Sequence, residues 1–162
     1  MKNIEILPAY HCETEIRELF SEYTDMLIAG DSSFRKYLDI QNYEEELAHL
    51  ENKYGPPYGR LYLARVDGAA AGCIGLRKMD GQNCEMKRLY VRPQFRGNGL
   101  GALLVQKVIA DARSVGYSAM FLDTLPFLES AIHMYKKLGF YLIDCYNNSP
   151  MSNAVYMKLD LQ

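Results

Sequence analysis

Apolar positions along the chain recur with two different spacings, one helical and one strand-like. Ile16, Leu19, Phe20, Tyr23 and Leu27 fall three or four residues apart and form one face of a helix. Tyr43, Leu47, Leu50 and Tyr54 repeat the pattern after Asn42, a suitable N-cap with Glu45 at the third helical position, and the run stops at Gly55-Pro56-Pro57. A third helix carries Leu100, Leu103, Leu104, Val108 and Ala112 and ends near Gly116, and a fourth runs from Leu128 to Leu138 and closes on Gly139. Strand signals fill the intervals. A first strand covers Ile4 to Leu7. LYLARV (61–66), AAAGCIGLRKM (69–79) and CEMKRLYV (84–91) are separated by Asp67-Gly68 and Asp80-Gly81, which predicts a three-stranded antiparallel meander. AMFLDT (119–124) reads as a buried strand, parallel to CEMKRLYV because a helix intervenes. FYLIDCY and AVYMKLDL form a last hairpin around 147–153, with Val155, Met157, Leu159 and Leu161 on one buried face. The order β-α-α-β-β-β-α-β-α-β-β describes an α+β fold, a mixed central sheet of about seven strands flanked by four helices.

Composition narrows the function more than the fold. A chain of 162 residues, 49% of them hydrophobic, suits a single domain over residues 1–162 with a core of its own. A formal charge of -2 supplies no basic field for phosphate backbones and argues against a nucleic-acid partner. The amino-terminal run MKNIEILPAYHCETEI has Glu5 inside its first apolar stretch, unlike a secretory signal. No stretch approaches the roughly 20 apolar residues of a membrane helix. Cys12, Cys73, Cys84 and Cys145 are scattered, without a C-x-x-C pair or a His at metal spacing. They read as reduced thiols of a cytoplasmic protein with no metal site.

The most informative stretch is VRPQFRGNGLGALLVQK (91–107). The first N–H groups of a helix have no partner within it and carry the positive end of its dipole. Gly97, Gly99 and Gly101 clear side chains from that mouth, and Arg96 adds a positive charge beside it, which together suit a phosphate. A Walker loop would need Gly-Lys-Ser/Thr, whereas Gly101 is followed by Ala102-Leu103. Gly97, Gly99 and Ala102 satisfy the dinucleotide pattern G-x-G-x-x-A, with Asp123 near the position of a ribose-binding acid. That fingerprint should follow directly on a buried strand, yet Arg92 to Arg96 intervene, and the preceding strands form a meander.

Gln94-Phe95-Arg96-Gly97-Asn98-Gly99 resembles the Q/R-x-x-G-x-G/A acetyl-CoA loop of the GNAT N-acetyltransferase superfamily, and Ala131-Ile132-His133-Met134-Tyr135-Lys136-Lys137-Leu138-Gly139-Phe140 resembles its A-x-x-x-Y-x-x-x-G-F helix end. The specific likeness spans about Cys84 to Phe140, and the element order extends it over nearly the whole chain. It implies acetyl-CoA as cosubstrate, with pantetheine lying where the strand ending at Val91 and the strand from Ala119 splay apart. Leu89, Tyr90 and Val91 on the strand, and Gln94, Arg96, Gly97, Asn98, Gly99, Leu100 and Gly101 around the loop, are the implied contacts. Many members carry Asn seven residues before the tyrosine; here the position is Leu128.

The same resemblance implies an acetyltransferase acting on a primary amine, with two candidate catalytic groups. Glu85 stands six residues before Val91, where histone-acetylating relatives place their base; its other reading is a strand carboxylate paired with Lys87 or Arg77. Strict alternation puts Glu85, Lys87, Leu89 and Val91 on one face. Tyr135 matches the tyrosine that serves as general acid to the coenzyme sulfur, and it also belongs to an apolar stripe with Leu128, Ala131, Ile132 and Leu138. His133, one residue off that stripe, is expected to face solvent. A backbone N–H near Leu89 is the expected oxyanion donor. The acceptor is expected among small-molecule or peptide amines, bound between the first two helices and the last hairpin. The Glu44–Glu46 cluster reads as a solvated helix face, and a homodimer through the last strands is common among relatives. The rival from another class is a non-catalytic acyl-CoA sensor of the same fold.

Overall fold

The two Asp-Gly dipeptides fall where a meander needs them. In the computed structural model, which describes residues 2–40, 42–147, 149 and 151–162, strands β2 (Arg60–Val66), β3 (Ala69–Lys78) and β4 (Asn83–Val91) pair antiparallel in succession. Asp67 and Gly68 both take positive φ (51° and 85°), the pair of left-handed residues that a two-residue hairpin with the right twist requires. At the wider second turn, Asp80 Oδ1 accepts the N–H groups of Gln82 and Asn83 at 2.8 and 2.9 Å. β1 (Ile4–Pro8) pairs with β2, and β5 (Ala119–Thr124), β7 (Val155–Asp160) and β6 (Tyr141–Ile143) complete a seven-stranded sheet of order β1-β2-β3-β4-β5-β7-β6. Every pairing is antiparallel except β4 with β5, which runs parallel as expected from the intervening helix.

Helices cover both faces. α1 (Glu13–Gly30) and α4 (Leu50–Tyr54) press Ile16, Leu19, Phe20, Leu50 and Tyr54 against Leu61, Leu63 and Cys73. On the other face α5 (Leu100–Val115) and α6 (Glu129–Lys137) bury Leu104, Val108, Ala112 and Tyr135 against Ile74, Leu76 and Met120. Each large apolar side chain taken out of water in this way contributes about 1.5–3 kcal/mol.

Six helices flank the sheet among the described residues, not four. α2 (Phe34–Ile40) was not anticipated because seven residues give the helical pattern a single repeat, Phe34, Tyr37 and Leu38. The expected helix over 43–54 is two, α3 (Tyr43–Ala48) and α4, broken where His49 turns to φ -139°, ψ 66°. Asn42 precedes α3 with a left-handed backbone and makes no side-chain cap, so its expected capping role is not realised. FYLIDCY supplies a strand of only three residues, β6. Asn148 and Pro150, inside the turn expected at 147–153, lie outside the described residues.

The feature that shapes the site is a bulge in β4. Gly72 and Cys73 face Val91 and Tyr90, but Gly75 faces Lys87, so Ile74 alone opposes Arg88 and Leu89. Arg88 takes φ 60° to accommodate the extra residue. The slip reverses the alternation beyond it. Cys84 and Met86 sit in the core beneath α5, and Leu89 and Val91 pack against that same core, whereas Tyr90 joins the core beneath α1. Glu85 and Lys87 therefore do not share a face with Leu89 and Val91, contrary to strict alternation.

Candidate active site

β4 and β5 pair only from Asn83 with Ala119 to Glu85 with Phe121. Beyond that point the bulged end of β4 leaves its neighbour, and a cleft of about 820 Å3 opens between them. Its walls come from the end of β4 (Met86 to Val91), the loop into α5, the end of β5, α6, and the facing sides of α1 and α2. Met151 and Ala154, ahead of β7, close it.

One end of the cleft is made of main chain. A short turn of 3-10 helix, Pro93–Phe95, leads into Gly97 and Gly99, at φ 84° and 75°, and α5 starts at Leu100 without a side-chain cap. The first helical bond runs from Leu103 N–H to the Gly99 carbonyl at 3.1 Å, which leaves the N–H groups of the preceding turn without helical acceptors. A Cβ built on Gly97 or Gly99 would meet nothing within 4 Å, so the space before these donors is open. Arg96 is held at the rim: its Nε donates to the Val91 carbonyl at 2.8 Å and its guanidinium lies 5.7 Å from the Tyr90 ring centre.

Of the residues expected to hold the cosubstrate, Leu89, Tyr90, Val91, Arg96, Gly97, Gly99, Leu100 and Gly101 line the cleft. Gln94 and Asn98 do not; both are exposed, and the Asn98 amide reaches back toward the Phe95 carbonyl at 3.5 Å. Leu128, standing where many relatives carry an amide, lines the cleft as an apolar group. His133 is exposed at its edge.

Tyr135 reaches the cleft from α6 and is 5% exposed. Burial, with smaller effects of Tyr23 and Asp123, pushes its phenol well above the ordinary value, so it stays protonated. The Tyr135–Phe140 ring pair, 5.7 Å between centres, fixes it against the core. Asp123 also lines the cleft, and its Oδ2 accepts hydrogen bonds from the Tyr37 hydroxyl and from Asn147 Nδ2, the latter at 3.0 Å. Lys87, 8% exposed, also lines the cleft, and burial lowers its ammonium to about 8. In sequence, Asp123 reads only as a candidate ribose ligand and Lys87 only as a partner for Glu85. The signal for Asp123 is an acid at the carboxyl end of a parallel strand; Lys87, between Glu85 and Arg88 in a strand rich in charge, carries none of its own.

Glu85 is not among the groups that line the cleft. It is 2% exposed, with Oε1 2.6 Å from Arg77 Nε and 3.9 Å from Lys87 Nζ, while Oε2 accepts the Tyr146 hydroxyl at 2.5 Å. Desolvation raises its pKa, but Lys87, Arg77 and these hydrogen bonds outweigh it and leave the carboxyl below its usual range. That geometry favours the other reading of Glu85, a strand carboxylate paired with Arg77 and Lys87, over the expected base, because its oxygens are engaged and it does not line the cleft. Glu46 is likewise buried and not solvated: Arg88 grips it through Nε and Nη2 at 2.8 and 2.9 Å, Lys53 reaches it at 2.7 Å and the Tyr54 hydroxyl at 2.8 Å. The pair anchors the guanidinium of the bulge residue to α3.

Among the described residues no three His, Cys, Asp or Glu side chains form a metal cluster, and no helix is long and apolar enough to cross a membrane. The four cysteines are free.

Comparison with known proteins finds relatives of the chain in sequence and in fold. The sequence model of the Acetyltransferase (GNAT) family matches residues 14–140. A protein of Schizosaccharomyces pombe named as an uncharacterised N-acetyltransferase is 46% identical over 126 residues, covering 76% of this chain and 77% of that one. In three dimensions, a GNAT-family acetyltransferase from Staphylococcus aureus aligns over 99% of this chain and 100% of its own, with a TM-score of 0.77 at 21% identity. The PaiA N-acetyltransferase of Thermoplasma acidophilum, solved in complex with coenzyme A, aligns over 98% and 99% with a TM-score of 0.73 at 18% identity. At those identities the two structures speak for the fold.

Proposed function

The chain belongs to the GNAT acetyltransferase family, and on that premise we propose that it moves the acetyl group of acetyl-CoA to a primary amine of a small molecule or peptide, by direct attack while both substrates occupy the one cleft. The observation that carries the reading is the parting of β4 from β5 beside a helix mouth bared of side chains. An extended arm bearing amides finds strand edges there, and a pyrophosphate finds N–H donors, the dipole of a sixteen-residue helix and Arg96. The relative solved with coenzyme A supports the same choice of ligand. Acetyl-CoA supplies an activated acyl thioester; the chain's own residues must bind it, orient the amine and move protons.

The cradle at 96–101 and the strand at 89–91 hold the cosubstrate, with Leu128 packing against it where relatives use an amide. Of the two carboxylates that line the cleft, Glu129 is exposed at the start of α6, whereas Asp123 is half-buried: among the described residues its Oδ1 accepts no hydrogen bond, and Tyr37 and Asn147 fix Oδ2. It receives the amine proton, directly or through a water, in the role first given to Glu85. A base is needed because a lysine-like amine, with pKa near 10.4, is almost wholly protonated at neutral pH. Tyr135, kept neutral by burial, donates to the departing sulfur, and a main-chain N–H near Leu89 steadies the carbonyl oxygen.

The test is release of free thiol from acetyl-CoA across a panel of amines, together with the melting temperature. Acetyl-CoA should raise that temperature, NAD should not, and at least one amine should release thiol. Stabilisation by NAD alone would overturn the reading, as would tight acetyl-CoA binding with no turnover on any amine.

A further inference from the structure

The cleft end away from the glycines is built of side chains, and its charges do not balance. Phe34, Tyr37, Leu125 and Met151 form one apolar cluster and all line the cleft. Asp123 is tied to this wall through the Tyr37 hydroxyl. Behind it runs a buried polar layer in which Glu46 is gripped by Arg88 and Lys53, and Glu85 by Arg77 at 2.6 Å. Counting Asp123, three carboxylates face four cations, the fourth being Lys87. Its ion pair among the described residues is a long one, 3.9 Å to a Glu85 already engaged by Arg77, and none joins it to Asp123. Both side chains line the same cleft. An under-compensated cation with its side chain 7% exposed is costly, and the cleft is where its missing anion can sit.

Resting on the acetyltransferase reading, we propose that the acceptor is an α-amino acid with an apolar or aromatic side chain: its carboxylate on Lys87 Nζ, its amine between Asp123 and Tyr135, its side chain against Phe34, Tyr37 and Met151. The reacting form, with the amine neutral and the carboxylate ionised, carries one negative charge and so balances the four cations. The amine nitrogen forms the new bond to the acetyl carbon, the carbon–sulfur bond breaks, the amine proton passes to Asp123 and the sulfur takes its proton from Tyr135. The apolar wall selects against charged side chains, whose burial there would find no partner.

The experiment is thiol release from acetyl-CoA with L-phenylalanine and L-methionine, each compared with its methyl ester and its decarboxylated amine, for the native protein and for Lys87→Met. The free acids should exceed both counterparts in kcat/KM by about 10- to 100-fold, the scale of one charge-assisted hydrogen bond. In Lys87→Met the ratio should fall to about one, while acetyl-CoA still raises the melting temperature. Esters or amines turned over as well as the acids would overturn the carboxylate site and leave the acetyltransferase reading standing, as would a ratio that survives Lys87→Met. Thiol release with other amines but with none of these six compounds would also overturn it. Release with no amine at all would sink both.

Discussion

The two ends of the cleft are made of different material. At the helix mouth the ligand meets backbone: glycines at positive φ and the unpaired N–H groups of one turn, all within residues 96–102. At the opposite end it meets side chains drawn from α1, α2, β4 and β5 and from the segment before β7. A backbone cradle serves any ligand with the same phosphate and amides, whereas a side-chain chamber can be rebuilt without touching the fold. That difference separates what members of this family share from what each recognises.

Substitutions can break the comparison from either side. The largest effect should come from the junction: Asp123→Asn keeps the contacts of Tyr37 and Asn147 in shape but removes the base, and turnover should fall roughly 10²- to 10⁴-fold, recovering in part at high pH where more amine is neutral. A pH-rate profile checks it, and native rates at neutral pH would return the base to water or another group. Tyr135→Phe deletes one hydroxyl and keeps the ring against Phe140, so kcat should drop about 10²-fold, the lower end of the range, because a raised phenol is a weaker acid and a thiolate leaves tolerably unaided. Acetyl-CoA affinity and melting temperature should hardly change. If Tyr135→Phe works normally while Tyr135→Ala melts early, the tyrosine is packing alone.

At the backbone end Gly101→Val is the cleaner probe. Gly99 has positive φ and would strain under any side chain, whereas a Cβ on Gly101 would meet Met134 Sδ at an ordinary 3.7 Å. Acetyl-CoA should bind about 10- to 100-fold more weakly with selectivity among amines unchanged, measured by titration and by the substrate panel. A shift in acceptor preference would mean that the two ends are not separate.

The smallest effect on turnover belongs to the ion pairs behind the chamber. Glu85→Gln should change the rate only a few-fold while lowering stability by about 1–3 kcal/mol, since Arg77 and Lys87 lose their carboxylate. Glu46 and Glu85 are both held below their usual range, Glu46 by Arg88 and Lys53 against the cost of burial and Glu85 by Lys87 and Arg77. Their contribution is therefore complete above the unfolded carboxyl value of about 4.3 and is lost as pH falls below it. Melting temperature followed from pH 7 to 3 should decline less steeply in Glu46→Gln than in the native protein, from a lower starting point. Parallel curves would mean that Glu46 is no more stabilised folded than unfolded.

How far the site could be read ahead of its geometry followed the same division. Arg96, Gly97, Gly99 and Gly101 stand within six residues at the start of an amphipathic helix, and Tyr135 ends a helix whose closing Gly139 is equally local. Asp123, Lys87, Phe34 and Met151 are as much as 117 residues apart, and nothing in their local spacing relates them. Glu85 shows the converse. Its distance from Val91 suggested a base, but the side chain is claimed by Arg77 and by Tyr146, sixty-one residues away.

By itself the sequence determined the meander, the parallel strand after the crossover and the anion-ready helix mouth, because turn chemistry, hydrophobic period and bare glycines act over a few residues. Tertiary structure alone decided the bulge at Arg88, which swapped the faces of β4 and parted it from β5, and with it which charges are buried and which face the cleft. A one-residue slip in pairing leaves no mark on alternation until the neighbouring strand is in register, and the balance of a buried charge is a sum over neighbours that only packing brings together.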